Sequence, residues 1–184
     1  FFKQNGFEVG IWIDSTGHGM VLEHARVDDD AASFKQIVNI DGQMQTNSNC
    51  PLDKNFRDYF LERIARLVKT GTDIILLDDD FRMSQHGKDA LCCACSLHLE
   101  RMGEILGEQI TLEKIRPYVL GGKANRYRDA WLRAQSEGLV NFAREIRERV
   151  DSINPDINVC MCTAHAPWNA DGVSVPELVR ILAG

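Results

Sequence analysis

Long apolar runs, cationic stretches and a regular cysteine framework are all missing from this sequence, and each absence removes a class of protein. Nowhere do the roughly eighteen apolar residues needed to cross a bilayer follow one another. The first residues, Phe1-Phe2-Lys3-Gln4-Asn5-Gly6, carry no charged-then-apolar signal pattern, so no membrane partner is expected. Lys and Arg number 21 against 27 Asp and Glu, a net charge of −6, and no basic stripe stands out against that balance. An acidic surface repels phosphate backbones, which excludes nucleic acid as the main partner. The chain also lacks an initiator Met and opens like the end of a helix running into a strand, so it reads as a piece of a longer polypeptide.

The six cysteines, Cys50, Cys92, Cys93, Cys95, Cys160 and Cys162, do not fall into the paired spacings of a disulfide scaffold. Cys160 and Cys162 alternate along an expected strand, where free thiols behave as small hydrophobes. Reduced thiols point to a reducing, cytoplasmic location.

What is present is a chain of 184 residues, 44% of them hydrophobic, enough for one globular domain with a sizeable core. Three segments read as buried strands of parallel type: Phe7 to Ile13, Asp73 to Leu77, and Ile157 to Cys162. Each runs straight into polar residues, Asp14-Ser15-Thr16-Gly17-His18-Gly19 after the first, Asp78-Asp79-Asp80-Phe81-Arg82 after the second, and Thr163-Ala164-His165-Ala166-Pro167-Trp168-Asn169 after the third. Between them lie helical patterns. Phe56, Phe60, Ile64, Leu67 and Val68 form an apolar stripe behind an N-cap at Asp53 and stop near Gly71. Further helices are expected over Asp89 to Leu106, from Thr111 to about Leu120, from Arg126 to Val150, and from Glu177 to Leu182 behind a Ser174-Val175-Pro176-Glu177 capping box. Phe34 to Ile40, Asp41-Gly42 and Gln43 to Gln45 spell a hairpin with a type I′ turn inside the first long connection. The class is therefore α/β, built of parallel βα units with right-handed crossovers, an inserted hairpin loop and extra helices.

Acids delivered at the end of an apolar strand are positioned to meet a ligand, because α/β sheets and barrels bind beyond the carboxyl ends of their strands. Alternation turns Asp78 and Asp80 the same way, with Cα atoms about 6.6 Å apart. Two carboxylates at that separation divide acid and base work between them, as glycoside hydrolysis requires. They also suit a hard cation such as Mg²⁺. Arg82 could hold one acid ionised or grip a substrate. Asp14 and His18, the latter between glycines, and His165 with Trp168 supply polar and aromatic groups at the same end of the sheet. A Trp face stacks on the apolar side of a sugar ring, although Trp168 reads equally as a core residue.

Cys92, Cys95 and His98 fall at successive i, i+3 steps of the expected helix, and Cys50 or Cys162 could complete a four-ligand zinc set. Ordinary buried thiols are the simpler reading, and no metal or cofactor enters the expected site.

Phe7-Glu8-Val9-Gly10-Ile11-Trp12-Ile13 with Gly17-His18-Gly19, then Leu76-Leu77-Asp78-Asp79-Asp80-Phe81-Arg82, then Cys93-Ala94-Cys95-Ser96-Leu97-His98-Leu99, together resemble the central part of bacterial glycoside hydrolases built on a TIM barrel. The resemblance spans most of the chain. It implies part of a (β/α)8 barrel, a carbohydrate substrate and strand-end acids as catalysts; together with the pair that alternation selects, the expected catalytic residues are Asp78, Asp79 and Asp80, with Asp78 common to both arguments. In hexosaminidase families with a similar strand-end pair, the first Asp orients the acetamido group and the second is the general acid/base. Those roles would fall on Asp78 and Asp79, with Asp14, His18, Arg82, His165 and Trp168 lining the substrate site. Three strands in 184 residues are fewer than the eight of a complete barrel of about 250, so residues 1–184 are expected to be one domain excised from a larger catalytic barrel. Exposed strand edges would then favour a homo-oligomer. The rival readings are an Mg²⁺-dependent hydrolase that uses the Asp cluster as ligands and a non-catalytic carbohydrate-binding module.

Overall fold

Short apolar strands alternate with amphipathic helices along the chain. The computed structural model describes residues 1–17, 33–84, 91–163 and 168–184. Strands β1 (Gly10–Ile13), β4 (Ile74–Leu77) and β5 (Asn158–Met161) form a parallel sheet in the order β1-β4-β5, and β2 (Gln36–Val38) pairs antiparallel with β3 (Met44–Asn49) in a separate hairpin. Five helices complete the described fold: α1 (Lys54–Val68), α2 (Ser96–Leu106), α3 (Leu112–Leu120), α4 (Arg126–Asp151) and α5 (Val175–Ala183).

Side chains alternate along each strand, and the two faces of the sheet have opposite fates. Ile13, Ile75, Leu77 and Val159 are buried in one cluster with Phe56, Phe60 and Ile64 of α1, Phe142 and Ile146 of α4, and Leu178 and Leu182 of α5. Phe142 is the hub of its aromatic part, with ring centroids 5.6, 5.2 and 5.7 Å from Phe56, Phe60 and Phe81. The opposite face carries the cross-strand row Trp12, Leu76 and Cys160, in which Trp12 is 64% exposed. A second cluster, with Ile40, Met102, Ile115 and Trp131 among its members, joins α2 and α3 to the first half of α4.

Local chemistry sets the boundaries. The Asp53 carboxylate caps α1 through the Asn55 amide at 2.9 Å and receives the Lys35 amide at 2.7 Å, which ties the hairpin to the helix start. Asn125 caps α4 through the amides of Tyr127 and Arg128. Ser174 sits at the N-cap of α5, but its hydroxyl makes no capping bond, so the serine side of the expected box is not formed. The hairpin turn also differs from expectation. Gly42 alone takes positive φ (83°) and its N–H reaches the Asn39 carbonyl, whereas a type I′ turn needs positive φ at Asp41 as well. Helix α2, expected from Asp89, which lies outside the described residues, starts at Ser96; Cys95 before it is extended and Cys92 is bridged to Asn39. Among the described residues no helix is long and apolar enough to cross a membrane.

Candidate functional site at the strand ends

Because β1, β4 and β5 are parallel and in register, Ile13, Leu77 and Met161 finish side by side. The ladder continues one residue further, with Asp78 N–H donating to the Ile13 carbonyl at 2.9 Å and Cys162 N–H to the Leu77 carbonyl at 2.8 Å. Asp14, Asp78 and Cys162 therefore form the next cross-strand row after Trp12, Leu76 and Cys160, on the face turned away from the helices. Asp14 is exposed and Asp78 and Asp79 are half-buried. The Asp79 amide donates to Asp78 Oδ1 at 2.7 Å as the chain leaves the strand. Desolvation, reinforced by the negative charges of Asp78 and Asp79, pushes the Cys162 thiol above its usual range. The carboxylates of β4 thus act electrostatically across to the end of β5.

Asp80 has a different place from its neighbours. Its side chain is fully buried and turns beneath the loop after β1, where it accepts from Ser15 N–H at 2.8 Å, Ser15 Oγ at 2.6 Å and Gly17 N–H at 2.6 Å. The Thr16 hydroxyl adds a bond to the Asp80 carbonyl. Alternation had paired Asp80 with Asp78, but the strand ends at Leu77 and Phe81 N–H closes a turn onto the Asp78 carbonyl at 3.2 Å, so a period of two no longer applies. The acid run is divided: Asp78 and Asp79 stay near solvent, and Asp80 holds the β1 loop.

Arg82 is 3% exposed, its carbonyl accepts from Thr16 Oγ1, and its positive charge acts on Asp171. Trp168, 7% exposed, belongs to the main hydrophobic cluster. Neither lies open beside Asp78. Asp14 does share the strand-end row, whereas His18 and His165 lie outside the described residues. Asp171, which no sequence pattern singled out, is 1% exposed and takes Ser84 Oγ at 2.6 Å and Ser84 N–H at 3.1 Å. Burial raises its carboxyl to about 6 against the opposing pull of those bonds.

A second constellation lies in the loops that frame this end. Cys50, Cys93, Cys95 and His98 are all buried, and their ligand-type atoms lie within 4.8 Å of one another. Cys50 follows β3, Cys95 is the N-cap of α2, and His98 is in the first turn of that helix. Hydrogen bonds from Cys50 and Cys93, with help from His98, draw the Cys95 thiol far below its usual range, while burial pushes Cys50 and Cys93 up. The helical reading of this segment had chosen Cys92. Cys93 and Cys95 precede α2, with Cys95 in extended backbone, and it is this i, i+2 pair whose sulfurs come together.

Two surface clefts, one along α2 beside Leu99, Gly103 and Ile110 and one between α1 and α4 beside Leu52, Arg57 and Asn141, lie away from the strand ends. Glu108 in the first is paired with Lys114 and Arg126, and Glu145 in the second with Arg57, and strand-end chemistry outweighs cleft size in locating the site. No protein-family model matches the chain, and no curated protein matches it.

Proposed function

We propose that the chain is part of a (β/α)8 glycoside hydrolase whose substrate meets Asp14 and Asp78 of the strand-end row and the adjacent Asp79. The observation that carries this reading is the placement of Asp78 and Asp79 at the carboxyl end of the central parallel strand, near solvent, with Asp78 on the face that bears the exposed Trp12. Sequential order β1-β4-β5 with the helical layer packed on one face supports the barrel, since the opposite face, with Trp12 and Leu76, suits a barrel interior.

Asp79 would protonate the leaving glycosidic oxygen while Asp78 orients the substrate, the division that the strand-end pair of hexosaminidases suggests. Trp12 offers a flat apolar surface one row below the acids, a stacking platform in place of the buried Trp168. Asp80 serves the site indirectly, by fixing the loop after β1.

Hydrolysis of a panel of aryl glycosides, N-acetylhexosaminides included, tests the reading. Asp78→Asn is expected to abolish turnover and leave the circular dichroism spectrum native. Unchanged turnover removes Asp78 from the mechanism, and stoichiometric Mg²⁺ binding lost in that variant would reassign the acids to a metal-dependent hydrolase.

A further inference from the structure

We propose that Cys50, Cys93, Cys95 and His98 bind one zinc ion, which staples the two long loops that frame the strand ends. Tetrahedral zinc, with Zn–S about 2.3 Å and Zn–N about 2.0–2.1 Å, sets sulfurs about 3.8 Å apart and sulfur to nitrogen about 3.5 Å apart. Here Cys50 Sγ and Cys95 Sγ are 3.5 Å apart, and His98 Nδ1 is 3.3 and 3.5 Å from them. Three of the four ligand atoms therefore already sit near their places on a tetrahedron, and the Cys93 sulfur lies within 4.8 Å of each of them.

The surroundings are those of a bound thiolate rather than of packed hydrophobes. The amides of Val38 and Cys95 both point at Cys93 Sγ from 3.4 Å, a pair of N–H donors that spreads the charge of a ligating sulfur. Gln135 of α4 grips the Cys93 peptide at both ends, its amide nitrogen on the carbonyl at 2.9 Å and its amide oxygen on the N–H at 2.9 Å. That buried clamp fixes the direction of the Cys93 side chain from outside the loop. Cys95 lies at the N-terminus of an eleven-residue helix, whose dipole favours an anionic sulfur.

A closed set of three cysteines and one histidine, all buried, leaves no coordination position for substrate, so the ion is structural. It would join the end of β3 to the start of α2, and so hold the connection that follows β1 against the one that follows β4. Binding releases the remaining thiol protons, and the ion's two positive charges offset two of the three thiolate charges, leaving one negative charge that the N–H donors around Cys93 help to spread.

Metal analysis of the chain purified without chelator is expected to give about one zinc per molecule. Cobalt exchanged into the site should give the intense visible bands of tetrahedral, thiolate-bound Co²⁺, with sulfur-to-metal charge transfer in the near ultraviolet. Cys92→Ala should keep the zinc and the cobalt spectrum, whereas Cys93→Ala should lose both; the comparison separates coordination from burial because both thiols are fully buried. Protein free of zinc that also refuses added Zn²⁺ and Co²⁺ overturns the proposal, as does loss of metal in Cys92→Ala with retention in Cys93→Ala. A spectrum of six-coordinate, oxygen-bound cobalt would equally refute it.

Discussion

The Asp80 carboxylate and the Ser15 backbone amide meet at 2.8 Å across the gap between the ends of β4 and β1. With the Ser15 hydroxyl and the Gly17 amide on the same carboxylate, Asp80 ties two strand ends together from beneath. Removing it strands three donors in a buried place. Asp80→Ala is therefore expected to destabilise the protein by about 2–4 kcal/mol, while Asp78→Asn stays within about 1 kcal/mol of the parent. Urea unfolding of both variants checks the contrast; equal stability losses would merge the roles separated above.

Gly17 is pinched between that carboxylate and β3. It has φ of 103°, and a Cβ there would lie 1.9 Å from the Asn47 carbonyl oxygen. Gly17→Ala must move backbone on one side or the other, at a cost on the order of 3 kcal/mol or more. Differential scanning calorimetry of the variant should show the drop, and a native midpoint would mean that the loop after β1 yields freely.

Asp171 makes stability depend on pH in the direction opposite to that of an ion-paired acid. Its folded carboxyl titrates at about 6, against about 3.9 in an unfolded chain. Between those values the folded protein keeps a proton that the unfolded chain has released. The contribution is fully present below about pH 4 and is lost as pH rises through 6, by as much as about 3 kcal/mol. Ser84 and the charge of Arg82 both act against the rise, which limits its size. Denaturant unfolding between pH 4 and 7 should show Asp171→Asn losing this slope. A variant that follows the parent over the whole range would show that Asp171 is already ionised at acid pH.

The three parallel strands were legible in the sequence as short apolar runs that end abruptly in polar residues, and the crossover helix α1 and the long α4 through their helical spacing, about 3.6 for Phe56, Phe60 and Ile64. Reading failed where a period breaks. The Asp run was taken to continue a strand that stops at Leu77, which put Asp80 beside Asp78 instead of beneath Ser15. Cys92 and Cys93 fall within the helix expected over Asp89 to Leu106, yet α2 starts only at Ser96. The spacing Cys93-Ala94-Cys95 held the clue, since a two-residue step brings ligands together only in extended backbone. Asp171 left no trace at all, because its partner Ser84 is 87 residues away in the chain. Trp168 was read as both a ligand surface and a core residue, and burial decides for the core.

Helix α4 belongs to both hydrophobic clusters, through Ala130, Trp131 and Ala134 in one and Leu139, Phe142, Ile146 and Val150 in the other. The same helix grips Cys93 through Gln135 and, through Arg147, the carbonyls of Ile157 and Leu182. Neither cluster can melt without unwinding part of a helix that the other still needs, so the two form one cooperative unit. The amides in the middle of α4 should accordingly exchange with solvent only when the whole chain opens.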